Sequence, residues 1–181
     1  MNLNPAIRVQ SGSLALKGLT VLAGTGVLTL SSYIQVPWFP VPMTMQTLAV
    51  TLVGAFLGWR LGAATVVTWL AAAASGLPVL AGNHLAGPAA FVSPTAGYLF
   101  AFPLAAALTG WLVARGWNGK RPVLAFAAML LGNALCLAMG AAWLAVLTGP
   151  EKVIALGVLP FVTGGVVKSA LGAALLKAAG R

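Results

Sequence analysis

The feature that most constrains this chain is a succession of long apolar stretches with almost nothing ionic between them. Six can be drawn over its 181 residues, at Gly18–Ile34, Met43–Trp59, Leu61–Leu77, Thr95–Val113, Val123–Leu147 and Val153–Leu176. Each reaches or exceeds the roughly 17 residues a helix needs to cross a ~30 Å hydrocarbon core. They are apolar all round, as helices surrounded by lipid and by one another must be. Charged residues make up 6% of the chain, where a water-soluble domain carries about 25%, and the mean hydropathy is +1.00. The sequence therefore predicts an all-α integral membrane protein, one membrane domain over residues 1–181 built as a bundle of six transmembrane helices.

The net charge of +9 reflects a shortage of acids, since Glu151 is the one carboxylate side chain against ten Lys and Arg. No basic run exceeds Lys120-Arg121, so the clustered face that nucleic acid requires is missing and no nucleic-acid partner is expected. Cys136 is alone and cannot close an intrachain disulfide. Polar residues extend to Lys17, and no cleavable signal peptide is expected. If the N-terminus is cytoplasmic and the chain crosses six times, Arg8, Lys17, Arg60, Arg115, Lys120, Arg121, Lys177 and Arg181 all fall on the cytoplasmic side. Lys152 alone falls outside, and Lys168 lies within the sixth stretch. The positive-inside rule then predicts both termini in the cytoplasm. The uncharged connections Gln35–Pro42 and Pro78–Pro94 face outward, the second too broken for a helix and too apolar for an ordinary solvated loop. Gly58-Trp59-Arg60-Leu61-Gly62 reads as a tight hairpin turn.

Lys168 is the most informative residue. A lysine at a helix centre costs about 2.5–3.5 kcal/mol on insertion scales, so something must offset it. Its helical neighbours Gly164, Gly165 and Gly172 leave a groove beside the stem. Two readings stand: a lysine snorkelling to the interface past glycines that permit helix packing, or a site for an anionic ligand. The distance to the helix end, roughly 15 Å at 1.5 Å per residue, and the absence of an embedded acid favour the second. Pro160 frees backbone carbonyls one turn earlier. Thr44, Gln46 and Thr47 offer an amide and two hydroxyls, either to a neutral polar ring or to helix capping and interhelical bonds. Asn83, His84, Ser93, Thr95 and Tyr98 form a third polar cluster, in which Asn83 and Tyr98 are candidate ligand contacts and His84 reads as a solvated loop residue. Trp38 and Phe39 suit an interfacial belt or a lid. Ala128, Gly132, Cys136 and Gly140 make a small-residue ridge for close helix contact, and the adjacent Asn133 should bond a neighbouring helix.

Several chemistries are excluded. The sequence has no phosphate-binding Walker loop and no pair of carboxylates, and one His with one Cys cannot hold zinc. Ser169 follows Lys168 directly and points about 100° away from it on a helix, which argues against a serine–lysine dyad. The chain is expected not to be an enzyme and to need no cofactor and no metal.

The motifs Val41-Pro42-Met43-Thr44-Met45-Gln46-Thr47-Leu48, Gly58-Trp59-Arg60-Leu61-Gly62, Gly76-Leu77-Pro78-Val79, Ser93-Pro94-Thr95-Ala96-Gly97-Tyr98 and Leu159-Pro160-Phe161 with Lys168 resemble the BioY family, the biotin-binding S components of energy-coupling factor (ECF) transporters. The likeness implies a six-helix bundle in a prokaryotic cell membrane that takes up biotin with high affinity from outside. It implies a site including Thr44, Gln46, Asn83, Tyr98 and Lys168, with a separate transmembrane T component and a pair of ATPases supplying the energy. The chain departs from the family pattern in three places. It has Gly164-Gly165-Val166-Val167-Lys168 where the family usually reads Gly-Asp-x-x-Lys, and Asn133 where a histidine is frequent. It also lacks a strict Ala-x-x-x-Ala docking motif, Thr20 and Gly24 being its nearest small-residue pair. An S component for another vitamin, or a solitary biotin facilitator without ATPases, are the alternatives.

Overall fold

The computed structural model describes residues 13–37, 39–80 and 87–180. The expectations placed on Asn83, His84, Trp38, Arg8 and Arg181 lie outside the described residues. Among the described residues six helical bodies follow one another: α1 Leu14–Tyr33, α2 Gln46–Leu57, α3 Trp59–Ala74, α4 Ala96–Ala114, α5 Pro122–Thr148 and α6 Pro150–Ala178. Two short strands, β1 Gln35–Val36 and β2 Met43–Thr44, pair antiparallel between α1 and α2. Among the described residues, four helices, α1, α4, α5 and α6, are long and apolar enough to cross a membrane.

The helix ends depart from the expected boundaries for local reasons. The α1 helix starts at Leu14 rather than Gly18 because the Ser13 side chain accepts a bond from the Leu16 backbone N–H at 3.3 Å, capping the first turn. The second helix does not begin at Met43: Met43 and Thr44 are strand, and the helix starts at Gln46. Pro37, Pro40 and Pro42 bias the residues before them toward extended backbone and cannot donate to a helix. The hairpin between the second and third stretches is tighter than the five residues expected, for Gly58 alone makes the turn, at φ 80 and ψ 167, a conformation open to glycine. Part of the segment thought too broken for a helix, Pro88–Val92, is a single 3-10 turn with proline at its start. The sixth helix begins at Pro150 and is widened to a π-turn at Ile154–Val158, just before Pro160.

Glycines let the helices meet backbone to backbone. Residues 54 and 62 are each four away from the Gly58 turn, and a Cβ placed on Gly62 would come within 2.8 Å of the Gly54 Cα. A Cβ on Gly110 of α4 would lie 2.5 Å from the Gly54 carbonyl oxygen and 2.7 Å from the Trp59 nitrogen, and one on Gly54 would overlap the Ala106 carbonyl. The α2, α3 and α4 helices are thus joined at a point where no side chain intervenes. The expected ridge on α5 also makes a close contact: Ala128 and Cys136 are buried, Gly132 faces Thr109 and Thr51, and Gly140 lies against the Tyr98 ring.

Gly54→Val should destabilise the protein by more than the roughly 1–3 kcal/mol of ordinary overpacking, because the methyls meet backbone that cannot rotate away. Gly18→Val, with nothing within 4 Å of the built Cβ, should leave the fold nearly unchanged. Thermal unfolding of both variants in one detergent measures the difference.

Candidate functional site

A cavity of about 710 Å³ opens at the end of the bundle that carries the β1–β2 hairpin, within the ~300–1,000 Å³ typical of small-molecule sites. Its walls come from the segment 35–47, Leu80, the stretch from Ala90 to Thr95, the first half of α4 and the middles of α5 and α6. Among the described residues α1 and α3 contribute nothing to it. Most of the wall is apolar, with Leu99, Phe102, Leu137 and Phe161 among the residues facing in. Lys168 is the single charged side chain among the described lining residues.

Lys168 does not run toward the end of its helix. Its Nζ donates to the Thr44 carbonyl at 2.7 Å and to Thr47 Oγ1 at 3.2 Å. The ammonium is therefore turned across the cavity to the strand and first helical turn that follow the proline-rich segment. Of the two readings of Lys168 from sequence, this geometry agrees with a cation in a site and not with a snorkelling one. Gly164 and Gly165 do leave room beside the stem, a Cβ on Gly165 meeting only the Asn133 Cβ at 3.9 Å. Gly172 does not belong to that groove, because Met129 of α5 packs on it, with Sδ 3.1 Å from a built Cβ. Glu151 starts the same helix 17 positions earlier, roughly 25 Å away, so the ammonium has no carboxylate partner among the described residues.

Thr44 and Gln46 are coupled to each other. Thr44 Oγ1 donates to Gln46 Oε1 at 3.0 Å and accepts from the Gln46 backbone N–H at 3.2 Å. That leaves the Gln46 amide N–H groups without a partner among the described residues, on a side chain that is buried and lines the cavity. Tyr98 also lines it, but its hydroxyl is occupied, donating to the Gly157 carbonyl at 2.9 Å. That carbonyl belongs to the π-turn Ile154–Val158 just before Pro160. What Tyr98 presents to the cavity is its ring, packed 5.9 Å from that of Phe161.

The structure thus gathers Thr44, Gln46, Tyr98 and Lys168 around one cavity, while Asn83 lies outside the described residues. Of the third polar cluster, Thr95 reaches the lining, whereas Ser93 bonds Ala90 and Thr95, its carbonyl accepting from Trp143. Asn133 was assigned from sequence to helix packing alone and does bond the neighbouring helix, its Nδ2 donating to Ser169 Oγ at 3.2 Å and to the Met129 carbonyl at 3.0 Å. It also lines the cavity. With Nδ2 so engaged, the Oδ1 acceptor is what Asn133 can offer a ligand. Its spacing of one helical turn from Cys136, which faces the same space, was the available signal. Ser169 is fully buried and donates to the Gly165 carbonyl at 2.7 Å, away from Lys168.

The sequence pattern of the BioY family matches residues 7–181. The chain belongs to the BioY family. It is 38% identical over 152 residues to a biotin transporter BioY of Rhizobium etli, covering 80% of this chain and 81% of that one. It is 35% identical over 142 residues to a probable biotin transporter BioY of Pyrococcus horikoshii, with 78% and 82% covered. A third relative, biotin transporter BioY2 of Lactococcus lactis, is 32% identical over 170 residues, with 90% and 92% covered. Among solved structures, the crystal structure of an S-component for biotin from an ECF-type ABC transporter superposes with a TM-score of 0.80 over 93% of this chain and 94% of that one, at 24% identity. That likeness establishes a shared fold.

In this BioY family member, removal of the Tyr98 hydroxyl deletes a buried hydrogen bond that ties α4 to the Gly157 carbonyl of α6. Tyr98→Phe should cost about 1–3 kcal/mol of stability, read as a lowered unfolding temperature in detergent without loss of the ring from the cavity wall.

Proposed function

We propose that this chain is a biotin-uptake protein of the cell membrane of a prokaryote, acting as the substrate-binding S component of an ECF-type transporter. The observation that carries this reading is one ammonium set in the wall of an otherwise uncharged, largely apolar cavity. Biotin has an apolar valeryl chain between a carboxylate and a ureido ring that both donates and accepts hydrogen bonds. Lys168 would meet the carboxylate, and the unpaired Gln46 amide N–H groups and the Asn133 carbonyl would meet polar atoms of the ring. Asn83 belongs to the same proposed site through the family motif alone. The relatives named as biotin transporters support the substrate. No cofactor is needed for binding of this kind.

Binding is tested by calorimetric titration of the purified protein. Biotin should bind, and Lys168→Met should weaken binding roughly 100- to 5,000-fold, corresponding to the ~3–5 kcal/mol lost when one partner of a buried charge contact is removed. Biotin amide should bind clearly more weakly than biotin. Equal affinity for acid and amide would separate Lys168 from the carboxylate.

The proposed topology is six crossings with both termini in the cytoplasm. The α2 helix, at 12 residues, is short for a ~30 Å core, and α3 has 16. The strand and loop before α2 extend its path at cavity depth, where irregular backbone is tolerated because it lines a site. In a Cys136→Ala background, a cysteine at Val92 should react with an impermeant maleimide from outside, and one at Lys120 should not. Equal labelling of the two would sink this topology.

A transmembrane T component and an ATPase pair are the proposed partners. One observation favours the solitary alternative. Gly24, half of the nearest small-residue pair on α1, is not on an open stripe: it is buried, and a Cβ there would come within 2.7 Å of Thr65 Cγ2 on α3. Co-purification with a T component and ATPases decides between the two arrangements.

A further inference from the structure

At the end of the bundle opposite the cavity, a second, shallower groove of about 350 Å³ lies between Trp59 of α3 and Trp111 of α4, floored by Ala107 and Leu108. The close approach at Gly110 brings these two helices together here, since its built Cβ would lie 2.7 Å from the Trp59 nitrogen. Each indole carries a guanidinium. The Arg60 carbon Cζ sits 4.7 Å from the Trp59 ring centre, and that of Arg115 sits 4.1 Å from the Trp111 ring centre. Both tryptophans are about 40% exposed, at 44% and 42%, where α3 begins and α4 ends.

An aromatic belt with snorkelling arginines would account for the residue types, but not for their pairing around one apolar groove. Nor does it supply a counter-charge. Neither guanidinium has a hydrogen-bond or carboxylate partner among the described residues. Glu151, the one acid in the chain, lies beyond the far end of the 27-residue α5, roughly 40 Å along its axis. A guanidinium stacked on an indole keeps its N–H edge free, in the planar fork that binds phosphate oxygens. The groove between the indoles is apolar and open on the outside of the bundle, and it suits an acyl chain rather than a soluble anion.

We propose that this groove is a binding site for one anionic phospholipid, its phosphate held by Arg60 and Arg115 and an acyl chain lodged over Ala107 between Trp59 and Trp111. It is independent of the biotin reading. The test is native mass spectrometry of the detergent-purified protein titrated with phosphatidylglycerol or with phosphatidylcholine of the same acyl chains. One phosphatidylglycerol should be retained in preference to phosphatidylcholine. The double variant Arg60→Gln/Arg115→Gln should lose roughly 30-fold in phosphatidylglycerol affinity, from about five-fold per basic side chain at a membrane surface. Ala107→Phe, which fills the groove and keeps both charges, should weaken it as well. Lys120→Gln/Arg121→Gln, a basic pair with no such groove, should change it little. Equal retention of the two lipids, an equal loss in the Lys120/Arg121 variant, or displacement of the lipid by millimolar inorganic phosphate would each overturn the proposal. An unchanged unfolding temperature in lipid-free detergent separates lost binding from lost folding.

Discussion

The architecture depends on one close approach, the meeting of α2, α3 and α4 at Gly54, Gly62 and Gly110. Helices in lipid gain no hydrophobic free energy by associating, so their contacts rest on dispersion and on how near the backbones can come. Here the Gly54 carbonyl lies where a Cβ on Gly110 would be 2.5 Å away, and any larger side chain at that point would pry the three helices apart. Tight closure at this end has a counterpart at the other. Toward the β1–β2 hairpin, α2 and α4 line a cavity of about 710 Å³, and α5 and α6 complete its wall.

Within that cavity the polar groups divide into those already spent and those still available. The Tyr98 hydroxyl is spent on Gly157, the Asn133 amide nitrogen on Ser169 and Met129, and the Thr44 hydroxyl proton on Gln46. Lys168 is held in place by a backbone carbonyl and a threonine hydroxyl, neither of which neutralises it. A cation kept at membrane depth without a counter-ion is costly unless something polar or charged meets it, and that cost is the physical ground for proposing an anionic ligand beside it. Gly165 sharpens this. An acid at that position would stand beside Asn133 and share the cavity with the ammonium, whereas the glycine leaves its charge intact.

Much of this was legible in the primary structure. Lys168 stood out because an ionisable residue in an apolar helix demands a reason, and Thr44, Gln46 and Tyr98 because polar groups cluster beside prolines at one end of the runs. Asn133 was read only as a packing residue, since one asparagine serves a helix contact and a cavity equally well and spacing cannot separate them. The start of α2 was misjudged by three residues, because the apolar run was drawn from Met43 while a paired strand, Gln35 with Thr44 and Val36 with Met43, occupies its first positions. Hydropathy carries no information about which partner a backbone amide finds.

The sequence by itself determined that this is a membrane-embedded helical chain, that acids are nearly absent from it, and that Lys168 is the only cation deep within a run. Those properties follow from the transfer free energies of single residues, which add along the chain without reference to its path. The tertiary structure alone decided that Lys168 turns toward Thr44 and Thr47, that the Tyr98 hydroxyl is engaged by a carbonyl in a widened turn of α6, and that Trp59 and Trp111 line one groove. Each of these joins residues from different helices, and their meeting is set by glycine contacts and by one proline-rich hairpin rather than by any local preference.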